Sequence, residues 1–61
     1  MKRLTKIERE TLERLASEYG VKTLSEHTGL STRVLAKGLE EDHNLSDSQY
    51  EALVLYLQGH V

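Results

Sequence analysis

Arg33 and Lys37 stand four residues apart, so a helix through them carries both cations on one face. A guanidinium fork and an ammonium point charge side by side can bind an anion. A charged helix face turned to water is the ordinary outcome of such a pair, and the rest of the charge pattern decides whether more is asked of it. All eight basic residues lie at or before Lys37, against five acids there, a net +3. From Gly38 onward there are five acids and no base, a net −5. The total of −2 by itself speaks against nucleic acid. The sorting speaks for one face meeting a polyanion while another does something else.

Other chemistries find little to work with. The 61 residues include no cysteine, so there is neither a thiol nucleophile nor a disulfide. No glycine-rich phosphate loop runs into a lysine, and no serine, histidine and acid stand in a recognisable set. A chain this small is expected to lack room for a pocket of the usual ~300 Å³. No enzyme and no cofactor are expected. His27, His43 and His60 are too scattered in sequence for a metal site. The run Glu40-Glu41-Asp42 reads as the solvated start of a loop. No apolar run approaches the ~20 residues of a membrane span, and no apolar signal core follows the basic start. A soluble cytoplasmic protein is expected.

The elements that must position Arg33 and Lys37 are helices. Proline is absent, and no alternating strand pattern occurs. Three capping boxes are legible: Thr5 with Glu8, Thr23 with Glu26, and Ser46 with Gln49. Ser31 is a fourth candidate cap without the box partner. Gly20, Gly29 and Gly59 are the matching stops. The expected helices run over 6–19, 24–28, 32–40 and 47–58, in one all-α domain covering residues 1–61.

In the first helix Glu8, Leu12, Leu15, Ala16 and Tyr19 fall on one side, with Leu4 and Ile7 closing its start. The third turns Val34, Leu35, Gly38 and Leu39 one way and Arg33, Ala36, Lys37 and Glu40 the other. The last helix is apolar on two sides. Tyr50, Leu53, Val54 and Leu57 make one face, and Ala52, Leu55 and Tyr56 the second. A chain of this size buries only about 60% of the surface its unfolded form exposes. A second copy is therefore the simplest cover for Ala52, Leu55 and Tyr56.

Two short helices joined by a tight turn at Gly29, the second with a polar outer face, describe a helix-turn-helix. Leu24, Leu30 and Leu35 can pack about the turn, and the small Ser25 allows a close crossing. On Tyr19-Gly20, Leu24, Ser25, Gly29, Leu30 and Leu35, residues 12–41 resemble the Cro and repressor type of phage helix-turn-helix regulators. The family usually has an apolar residue just before the turn glycine, where this chain has Thr28, and another where Gly38 stands.

The resemblance implies a fold of about four helices and a DNA-binding regulator of transcription. It would be of repressor type and of phage or prophage origin, acting as a homodimer on operator DNA. By position it implies that Ser31, Thr32, Arg33, Ala36 and Lys37 face the major groove. Arg33 would pair with guanine and the Ala36 methyl would touch a thymine methyl. Lys22 and Thr23 would meet phosphate at the start of the second helix, with Lys2, Arg3 and Lys6 adding backbone contacts. The alternative is a protein-binding module on the same fold, such as an antirepressor or inhibitor, which the acidic second half favours.

Overall fold

A computed structural model describes residues 2–40 and 44–60. Glu41, Asp42 and His43 therefore lie outside the described residues. The protein is all-α, with α1 Lys6–Tyr19, α2 Val21–Thr28, α3 Thr32–Gly38 and α4 Asp47–Gln58.

Two of the capping boxes form. The Thr5 hydroxyl accepts from the Glu8 amide at 3.2 Å, and the Glu8 carboxylate accepts from the Thr5 amide at 2.9 Å. At α4 the Ser46 hydroxyl accepts from the Gln49 amide at 3.2 Å, and Gln49 Oε1 accepts from the Ser46 amide at 3.1 Å. Each exchange satisfies two amides that a helix start otherwise leaves unpaired. Ser31 caps α3 by accepting from the Val34 amide.

The third box does not form, and α2 begins at Val21 rather than Leu24. Thr23 sits inside its first turn. The corner is a single residue, Gly20, at φ 86° and ψ 146°. Its amide donates to the Ala16 carbonyl of α1, while its own carbonyl accepts from the Leu24 amide of α2. One residue thus closes one helix and opens the next, at a backbone angle that side-chain-bearing residues avoid.

Gly29 ends α2 in the left-handed region, φ 76° and ψ 6°. The unusual threonine before it is fully engaged. Thr28 Oγ1 donates to the Leu24 carbonyl at 2.8 Å and accepts from the Leu30 amide at 3.2 Å. A polar residue fits there because it ties the end of α2 to the turn. The Ser25 hydroxyl adds a second tie by donating to the Leu30 carbonyl.

At its other end α3 stops at Gly38, two residues short of the expected Glu40. There the ladder tightens: the Leu39 amide is shared between the Leu35 and Ala36 carbonyls, both at 3.2 Å, and the Glu40 amide reaches that of Lys37. Gly38 is buried, and a methyl group built on it would meet Leu12 and Leu53 at 3.4 Å and Leu4 at 3.7 Å. Those are ordinary packing distances. Gly59, by contrast, has φ −74° and closes the last turn of α4 without a left-handed residue.

Among the described residues the buried apolar core consists of eight leucines: 4, 12, 15, 24, 35, 45, 53 and 57. Fully burying each contributes about 1.5–3 kcal/mol. Leu45 lies outside every helix. It is held by paired backbone hydrogen bonds with Lys2, of 2.9 and 2.7 Å. Two residues expected to pack do not: Ile7 is 72% exposed and Tyr19 51%. Tyr19 is the last residue of α1, beyond the reach of the leucine layer. Among the described residues no helix is long and apolar enough to cross a membrane.

Candidate nucleic-acid interface

α3 is anchored on one side by Leu35, 1% exposed, and by buried Gly38. With those two inward, the 3.6-residue repeat sends Thr32, Arg33, Ala36 and Lys37 outward, and all four are exposed. Val34 and Leu39 are half-buried at the flanks. The outward strip holds one hydroxyl, two cations and one methyl, with no bulky apolar group. At 1.5 Å per residue, its seven residues span about 10 Å. A helix about 10–12 Å across can enter a major groove about 12 Å wide.

Ser31 is exposed at the start of this strip, with its hydroxyl committed to the Val34 amide. Lys22 is exposed in the first turn of α2, and Thr23 beside it is half-buried. No side chain caps α2. Its first amides therefore keep their donor capacity next to the Lys22 ammonium, an arrangement suited to a phosphate oxygen. α2 packs closely on α3. Glu40, exposed, follows α3 rather than belonging to it.

The N-terminal bases are partly spoken for. Lys2 is fixed by its backbone to Leu45, and its ammonium stands 5.3 Å from the Tyr50 ring centre. That places it against α4.

The second apolar side of α4 has three different surroundings. Leu55 is 66% exposed. Ala52 is half-buried. Tyr56 is half-buried and lies between two imidazoles, with ring centres 5.8 Å from His27 and 4.7 Å from His60. Its hydroxyl is 3.3 Å from His27 Nδ1. Two histidines that look scattered in the sequence thus share one tyrosine. The Arg14 guanidinium ties down the same end of the chain by donating to the His60 carbonyl at 2.7 Å.

The expectation that no sizeable pocket fits this chain is corrected by two open surface grooves. One, of about 330 Å³, runs along α1 past Ile7, Thr11 and Arg14. The other, of about 430 Å³, lies between Lys2 and α4, beside Tyr50, Val54 and Gln58. Both are open surface grooves, one along α1 alone and one between α4 and Lys2, without an enclosed interior. Sequence reasoning missed the second because Lys2 joins it through a backbone pairing that carries no local signal.

Comparison with family models, with curated proteins and with solved structures finds no match to this chain.

Proposed function

We propose that the protein is a sequence-specific DNA-binding regulator of transcription, repressor-like, that works as a pair of copies with α3 in the major groove. The observation that carries this reading is the exposed strip of α3, Thr32, Arg33, Ala36 and Lys37, backed by buried Leu35 and Gly38. Arg33 has the fork to bind guanine O6 and N7 together, and the Ala36 methyl suits the methyl of thymine. A strip of about 10 Å spans roughly three base pairs at 3.4 Å each. Lys22, together with the uncapped start of α2, supplies the phosphate contact that fixes register without reading sequence.

The longest extent of one copy is 26 Å. Successive major grooves on one side of the duplex lie about 34 Å apart. Filling both takes two copies, so the preferred site is a palindrome. Bound at a promoter, such a pair would act by excluding polymerase.

The deciding experiment is selection of bound duplexes from a random pool. A palindrome whose half-sites contain guanine is the expected result. A pool that enriches nothing, together with no binding to any duplex at low salt, overturns the reading. Capture of a specific protein in place of DNA supports instead a protein-binding module, for which the exposed acids of α4 are the favouring feature.

A further inference from the structure

The outer surface of α4 carries a knob and a groove side by side. Leu55 projects opposite the buried pair Leu53 and Leu57 and is 66% exposed. It lines one edge of the groove of about 430 Å³, which runs on past Tyr50 and Val54. Helix geometry places Glu51 on the Leu55 side of that groove. The Lys2 ammonium stands on the other side, 5.3 Å from the Tyr50 ring centre. Lys2 and the acids Asp47 and Glu51 therefore border a groove of mixed polar and apolar lining, and Leu55 forms part of its rim.

We propose that this face binds a second copy of the chain about a two-fold axis. Each Leu55 enters the other copy's groove against Tyr50 and Val54, and Lys2 of each meets Glu51 of the other. A two-fold interface uses the same patch on both copies, so the patch must complement itself in shape and charge. Exposed Leu55 on the rim of an open groove offers both a projection and a hollow for the first, and Lys2 with the acids Asp47 and Glu51 offers both signs of charge for the second. A nucleic acid does not fit this face, because Asp47 and Glu51 would repel its phosphates. The 61-residue chain has little core to spare, which gives burial of Leu55 added weight. The interface stands independently of DNA binding, since pairing is measured with no DNA present.

Sedimentation of the full chain from low to high micromolar concentration tests it. The wild type is expected to pair in the high micromolar range or tighter. Leu55→Asp should weaken pairing by about 100-fold or more, as loss of a central anchor does. Its helical circular dichroism should stay unchanged, because the residue is exposed in the single copy. Lys2→Glu and Glu51→Lys should each weaken pairing by about 3–10-fold, since each acts at two symmetry-related places. The double reversal should restore it. A wild type that stays single at the highest concentration overturns the proposal, as does a dimer indifferent to Leu55→Asp. A double variant no better than the two singles combined overturns the Lys2–Glu51 pairing. A protein that pairs as described yet binds no DNA upholds this interface and overturns the functional reading.

Discussion

The outer faces of α3 and α4 are built on the same inner plan and end up opposite in character. Each helix buries two positions, Leu35 and Gly38 in one, Leu53 and Leu57 in the other. Outward, α3 presents Thr32, Arg33, Ala36 and Lys37, while α4 presents Leu55 beside Glu51. The first face is well solvated and has no need of a partner to be stable. The second leaves a large aliphatic side chain in water. A small domain whose core already uses eight leucines gains nothing internally from a ninth at position 55. The difference teaches where to look for each kind of partner: an anion at the solvated basic face, an apolar complement at the wet leucine.

The widest separation is expected within α4 itself. Leu53→Ala empties space in a fully buried layer and should cost about 2–5 kcal/mol, whereas Leu55→Ala in the single copy should stay within about 0.5 kcal/mol. Urea unfolding of both variants at low concentration measures the gap. Equal losses would mean that Leu55 is covered inside the chain.

Next comes the α3 face. Arg33→Ala should lose about 1–3 kcal/mol per half-site on the selected DNA and relax discrimination at one base pair. Paired titrations against the selected and a scrambled duplex read this out. Equal weakening on both duplexes would leave α3 without a reading role.

Lys22→Ala should act on both duplexes alike and lower the salt slope by about one per subunit. Titration at several salt concentrations gives that slope. A slope unchanged from wild type would remove Lys22 from the phosphate contacts.

The smallest effect concerns how α3 is seated. Gly38→Ala should be neutral to stabilising, by up to about 1 kcal/mol, because alanine is the better helix residue. The added methyl meets its neighbours at 3.4–3.7 Å, in ordinary contact. A thermal midpoint that falls by several degrees would show that α3 needs the bare backbone there.

Legibility in the sequence followed the side chains. α1 and α4 were readable end to end, because Thr5–Glu8 and Ser46–Gln49 announce their starts in side-chain chemistry. The start of α2 was misplaced because Thr23–Glu26 imitates the same signature, while the true corner rests on the backbone angle of Gly20. The end of α3 was overrun because Leu39 and Glu40 continue the helical pattern in composition, while the Leu39 amide is already shared between the Leu35 and Ala36 carbonyls and the Glu40 amide turns to Lys37. The outward strip of α3 followed directly from the position of Leu35. The far side of α4 was only half legible: a helical repeat shows that Leu55 points away from Leu53, but not that α2 brings His27 against Tyr56. Leu45 went unread although it stands just before the cap Ser46 with Tyr50 at the fourth helical position, the spacing of a hydrophobic staple.

That same Leu45 sets how the protein comes apart. Its amide and carbonyl are both bonded to Lys2, and Leu4, 8% exposed, follows two residues later along the chain. Peeling back the first few residues breaks both bonds and uncovers Leu4 and Leu45 while leaving all four helices wound. Such a partial opening lies below global unfolding in free energy. Hydrogen exchange at the Leu45 amide therefore times the release of the N-terminal segment, while exchange at the Leu12 and Leu53 amides, deep in α1 and α4, waits for the whole domain to open.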